Sequence, residues 1–178
     1  MVCSNLSTHE CYDGPVLAPE KPRSYLDIET AFDQSLTIVG MLREDREIVQ
    51  LVGTRITAEA ILEYLDGSGV IHTYNGHSFD LPRIRGELGL DLRRRFRSRD
   101  LMHDCWKRKW MGGFKKVEER VGIARQSKGI DGWAAMQLWE KYMDEDNLEA
   151  LQTLLLYNRE DVENLWKLRE ILDGAVRP

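Results

Sequence analysis

The sequence predicts an α/β fold in which an antiparallel three-strand meander and later parallel strands share one mixed sheet, flanked by helices. Three observations carry this expectation. Tyr25–Thr30 alternates apolar and acidic residues with the two-residue period of a strand, and two more apolar runs follow over short links. A helical stretch then separates the meander from a fourth short apolar run. Most of the chain beyond Ser78 is helical in pattern, closing on a long periodic stretch from Leu148 to Leu172.

In order, residues 1–22 are polar, carry Gly14, Pro15, Pro19 and Pro22, and show no period, which predicts a flexible tail ahead of a single domain over 23–178. Cys3, His9 and Cys11 in this tail lack the second ligand pair of a zinc site. After the first strand, Leu36–Leu42 and Ile48–Val52 read as strands joined by the charged turn Arg43–Arg46. Thr57 is placed to cap a helix over 58–65 that Gly67 stops. Val70–Tyr74 is a fourth strand, reached through that helix and therefore expected parallel to the first, which makes the first strand central. Leu81-Pro82 opens another helix, and a further short strand is expected near Phe96–Leu101.

Hydrophobic content of 42% and charged content of 31% are those of an ordinary globular chain with a sizeable core. No apolar run is long enough to cross a bilayer, the N-terminus lacks a signal-peptide core, and three scattered cysteines give no disulfide framework; a cytoplasmic setting is expected. The net charge of −5 is unevenly spread. Between Arg83 and Lys116 lie 12 of the 25 Lys and Arg residues against four acids, a balance of +8, and the remainder carries −13. Such segregation suits a phosphate-binding surface on an otherwise acidic protein, and equally a solvated helix face.

The acidic residues carry the chemistry. Asp27 and Glu29 project from one face of the first strand, with Cβ atoms roughly 6–7 Å apart at about 3.3 Å of rise per residue. Held that close, carboxylates repel unless a cation lies between them, and hard divalent ions prefer carboxylate oxygens. Read alone, the pair is also what an amphipathic strand with a wet acidic face would show. Asp80 follows the fourth strand, where α/β proteins usually place their chemistry, and it also suits a helix cap. Asp161 falls within about 40° of Leu154, Leu165 and Leu168 on the last helix at 100° per residue, whereas Glu160 and Glu163 fall away from that stripe. An aspartate on a sheet-facing stripe needs a partner, and Tyr157 one turn earlier can place its hydroxyl beside it.

In this order and spacing, Asp27-Ile28-Glu29, Asn75 through Phe79-Asp80, and Tyr157 with Asp161 resemble the three motifs of the DEDD superfamily of 3′–5′ exonucleases with the ribonuclease H-like fold. The chain is most similar to the YprB-like ribonuclease H-like branch, and the resemblance spans roughly residues 24–172. Leu156 stands where the histidine subclass has its histidine, so the tyrosine subclass, DEDDy, is indicated. The resemblance implies a two-metal phosphodiester hydrolysis with Mg²⁺ or Mn²⁺. By similarity, Asp27 bridges both ions, Glu29 and Asp161 complete the one that binds the attacking water, and Asp80 holds the second through water. Tyr157 orients the water, a role that suits a phenol of ordinary pKa near 10. Asp100 sits where the branch usually has an aspartate and is a supporting group.

Substrate contacts are expected from Thr30, Asn75, His77 and Phe79 near the motifs, and from Arg97, Arg99, Lys115 and Lys116 in the basic segment. There Phe96, Trp106, Trp110 and Phe114 interleave with the bases, as a single-strand binding surface would. Trp106 and Trp110, one turn apart, are instead expected to pack in the core with Leu101 and Met102. The implied activity is a 3′–5′ exonuclease on single-stranded ends, with DNA favoured over RNA. A ribonuclease or structure-specific endonuclease of the same fold, and an inactive nucleic-acid-binding module, are the alternatives. Nucleic acid is the expected partner, with separate repair or replication proteins beside it, and no membrane.

Overall fold

The computed structural model describes residues 20–174, so Cys3, His9, Cys11 and most of the N-terminal stretch lie outside the described residues. Five strands form one sheet: β1 (Arg23–Thr30), β2 (Leu36–Arg43), β3 (Arg46–Val52), β4 (Val70–Thr73) and β5 (Arg97–Asp100). Their order is β3-β2-β1-β4-β5, with β1 central as expected. The β1–β2 and β2–β3 pairs are antiparallel, and β1–β4 and β4–β5 are parallel. The meander and the crossover through α1 (Ala58–Leu65) therefore match the sequence expectation, including the Thr57 cap, whose hydroxyl accepts from the Ala60 N–H at 3.1 Å.

The remaining helices are α2 (Asp80–Leu88), α3 (Leu92–Arg95), α4 (Leu101–Lys107), α5 (Phe114–Val121), α6 (Gly132–Glu145) and α7 (Leu148–Asp173). The period-2 alternation of β1 divides them into two layers. Leu26 and Ile28 point into a core shared with Ile61 and Leu65 of α1 and Leu81 and Ile84 of α2. On the other face Tyr25 packs with Leu101, Cys105, Val117, Leu165 and Leu168 from α4, α5 and α7. Asp27 and Glu29 share that second face with Tyr25, so the long α7 lies over the acids of β1.

Two irregularities open a cleft at this point. The parallel β1–β4 pairing ends at Tyr25 and His72, before β1 reaches Asp27. The β1–β2 register shifts between Glu29 and Thr30, a bulge of the kind that re-aims side chains beside functional sites. No helix among the described residues is long and apolar enough to cross a membrane.

One packing expectation fails. Trp110 is partly buried against the second core, but Trp106 is 45% exposed. On α4, Leu101 and Cys105 occupy the inward stripe, and Trp106, the residue after Cys105 and so about 100° further round the helix, points outward.

Candidate active site

The structure brings Asp27, Glu29 and Asp161 together: each offers a carboxylate oxygen, and these oxygens lie within 4.8 Å of one another. They open on a cleft of about 330 Å³, also lined by Thr30, Asn75, Phe79, Asp80 and Tyr157. Asp80 reaches it as the first residue of α2, one position past the helix cap, and is almost fully buried. Of the expected substrate contacts, Thr30, Asn75 and Phe79 line the cleft. His77 turns away to Ser98, with Nε2 3.0 Å from the hydroxyl. Arg97 and Lys116 are exposed outside it. Arg99 is held by Asp104 at 2.7 Å and Asp173 at 2.9 Å. Lys115 lies with its ammonium 4.4 Å from the centre of the Tyr157 ring and bonds the carbonyl of Ile130.

Asp100 acts through the backbone. One carboxylate oxygen accepts the N–H groups of Asn75 (2.8 Å) and Met102 (3.1 Å), and the other accepts that of His77 (3.1 Å). It thereby fastens the loop after β4 to the start of α4. Asn75, with φ of +61°, turns the chain there in the left-handed region that asparagine tolerates better than most residues.

Several groups that build the site carry no role in the sequence reading. Asn158, fully buried on α7, donates to the Asp27 carboxylate at 3.1 Å, and its oxygen accepts from Gln50 at 2.9 Å. It reaches them through the gap left by Gly40, which pairs with Asp27 on one side and Gln50 on the other. A Cβ at Gly40 would stand 2.2 Å from the Asn158 oxygen. A glycine inside a strand is a signal of such close approach, and this one was readable. Arg125, in the loop after α5, ion-pairs both Asp161 and Glu118, the latter at 2.6 Å. Glu118 is buried and also accepts from Asn164 of α7 at 2.8 Å. Glu160 leaves the sheet-facing stripe as expected, and it is nonetheless buried, because the Arg125 loop folds over it. Its carboxylate accepts the N–H groups of Gln126 (2.7 Å) and Ser127 (2.9 Å).

The electrostatics are those of a site short of positive charge. Burial, reinforced by the charges of Asp161, Glu29 and Asp80, holds the Asp27 carboxyl well above its ordinary range, and burial with Asp161 does the same to Glu29. Burial pushes Asp80 up to about 7. It pushes Asp161 up to about 6 even with Arg125 pulling the other way. Burial and the same carboxylates raise Tyr157 above its ordinary value, so its phenol stays protonated and donates rather than acting as a base. One buried oxygen of Glu29 has no hydrogen-bond partner. Clustered carboxylates with raised pKa values and an orphaned oxygen are the donor set a hard divalent cation satisfies, so these residues fit a metal site.

Residues 24–173 match the family model described as the RNase_H superfamily. The chain belongs to the RNase_H superfamily. Its RNase_H fold is also similar to the structure of the family B DNA polymerase from the hyperthermophilic archaeon Pyrobaculum calidifontis, with a TM-score of 0.65 at 18% identity. That match covers 86% of this chain and 25% of the polymerase chain, so this chain spans about a quarter of its neighbour's length. Among curated proteins, none matches the chain. Within the RNase_H domain, the cluster of Asp27, Glu29 and Asp161 is a candidate metal centre.

Proposed function

We propose that the chain is a divalent-metal-dependent 3′–5′ exonuclease of the DEDDy type, acting on single-stranded nucleic acid ends. The observation that carries this reading is the convergence of Asp27, Glu29 and Asp161 within 4.8 Å, in a cleft that also holds Asp80 and Tyr157. Asp27, Glu29 and Asp161 would hold one Mg²⁺ or Mn²⁺, with Asp80 and Asp27 serving a second. The bound ions would supply charge neutralisation at the phosphate and a lowered pKa for water. Asn158 fixes the rotamer of Asp27, and Arg125 fixes that of Asp161. The protonated phenol of Tyr157 orients water in the cleft by hydrogen bonding. Lys115, behind the Tyr157 ring, holds that ring in place and adds positive charge near the scissile phosphate. Likeness to a DNA polymerase makes DNA the favoured substrate over RNA.

The test is digestion of single- and double-stranded DNA and RNA, labelled at either end, with Mg²⁺ or Mn²⁺. Wild type should shorten single strands from the 3′ end one nucleotide at a time. Asp27→Ala and Asp161→Ala should each lose several orders of magnitude in rate, since the metals contribute several kcal/mol to lowering the barrier. Wild-type activity in both variants would refute the site. Internal cleavage products would replace the exonuclease reading with an endonuclease on the same residues.

A further inference from the structure

The exposed Trp106 sits at one end of a ridge of three aromatic rings. His77 and His103 meet edge to face with centroids 5.8 Å apart, and His103 and Trp106 follow at 5.4 Å. His103 and Trp106 lie three residues apart on α4 and so share one of its faces. His77 comes from the loop after β4, two residues beyond Asn75, which lines the catalytic cleft. Asp100 locks the two ends to each other through its bonds to the N–H groups of Asn75, His77 and Met102. The ridge is thus fixed relative to the cleft by a buried carboxylate, not hung on a free loop.

The segment that carries His103 and Trp106 is basic. Arg93, Arg95, Arg97 and Lys109, from the segment of net charge +8, are all exposed and make no ion pair among the described residues. Tryptophan is on average a well-buried residue, so a half-open indole in a segment rich in unpaired cations calls for an occupant with flat apolar faces and negative charge. A single-stranded nucleic acid has both: bases that stack and phosphates that the cations neutralise. An acidic peptide would meet the cations but leave the ring faces without a partner.

We infer that the single strand held in the cleft continues over the His77–His103–Trp106 ridge, with Trp106 as a stacking platform several nucleotides from the scissile bond. The inference rests on the nuclease reading for its substrate, but it is tested by binding alone. Full-length protein carrying Asp27→Ala, in EDTA, is titrated with fluorescently labelled deoxythymidine oligonucleotides of increasing length. Adding Trp106→Ala should weaken binding of a 12-mer about tenfold, as expected for loss of one stacked base, and leave a dinucleotide unaffected. Trp106→Phe should restore most of the loss. Arg97→Ala should lower the salt slope of 12-mer binding by about one. Equal effects on dinucleotide and 12-mer, no effect on either, or failure of Phe to rescue would each overturn the platform. If the doubly substituted protein melts like its Asp27→Ala parent, misfolding does not account for the loss. Wild-type hydrolysis with no Trp106 effect would overturn the ridge and leave the active site standing; absence of hydrolysis with length-dependent Trp106 binding would do the reverse.

Discussion

Replacing Arg125 with methionine tests the charge balance of the site most directly. The guanidinium is nearly buried and is shared between Glu118 and Asp161, each of which is also buried. Methionine keeps much of the volume and removes the charge. Two carboxylates are then left in a low-dielectric pocket, with Asp161 still facing Asp27 and Glu29. Breaking a buried pair by removing one partner costs about 3–5 kcal/mol, which for a domain of this size lowers the melting temperature by roughly 6–20 °C. The assay is thermal unfolding in metal-free buffer at neutral pH, repeated at lower pH and with saturating Mg²⁺ or Mn²⁺. The deficit should shrink as pH falls towards about 6, because Asp161, already raised to about 6 with Arg125 beside it, is raised further without it and takes up its proton earlier in the variant than in wild type. Added metal should stabilise the variant more than wild type, since binding to the folded state alone gives about 2.7 kcal/mol at a hundredfold excess over Kd and no resident cation now competes. A variant that melts with wild type in metal-free buffer refutes the view that Arg125 compensates this cluster.

Three further outcomes follow from the same geometry. In metal-free buffer, stability should fall as pH rises towards neutrality: Asp80, moved from 3.8 to about 7, keeps its proton in the folded state after the unfolded chain has released it, which costs roughly 4 kcal/mol once both are ionised. His72, lowered to about 4 by burial, acts oppositely below 6.5, so the decline is cleanest from there to about pH 7.5 by thermal melts, and a rising or flat curve there would contradict it. Gly40→Ala should cost about 1–3 kcal/mol in chemical denaturation by driving Asn158 off its bond to Asp27, with activity falling further than stability alone explains. Tyr157→Phe should leave the melting temperature near wild type and lower kcat roughly a hundredfold in single-turnover hydrolysis, the cost of losing orientation but not the metal ligands; an unchanged kcat would remove Tyr157 from the chemistry.

Much of the fold was legible because each element declares its period locally. The alternation of Tyr25–Thr30, the charged turn at Arg43–Arg46 and the cap at Thr57 all mark features that the structure contains. Asp161 stood out because a carboxylate on an apolar stripe contradicts its surroundings. The supporting residues did not declare themselves, for a physical reason: their roles depend on which distant surface covers them. Glu160 leaves the stripe and is buried only because the loop after α5 returns over it. Arg125 is one of many arginines until Glu118 and Asp161 close on it from two helices. Trp106 was misplaced because its neighbours Leu101 and Cys105 define the inward face of a helix only seven residues long, too short a pattern to separate one side from the other.

The positive charge around the acidic cleft is unevenly distributed. Asp27, Glu29, Asp80, Asp161 and Glu118 bring five carboxyl groups to the site and its wall, against the two cations Arg125 and Lys115. Both cations stand on the side of α5 and its following loop: Arg125 engages Glu118 and Asp161, and Lys115 lies against Tyr157. No described arginine or lysine ion-pairs Asp27, Glu29 or Asp80. The deficit of positive charge therefore lies on the β1 side of the cleft, where pKa values rise and the partnerless oxygen of Glu29 sits. Full occupation by arginine would have satisfied the acids and closed the site. Compensating only the α7 side holds Asp161 in place and leaves the strand carboxylates uncompensated, a deficit that the proposed divalent cation would fill.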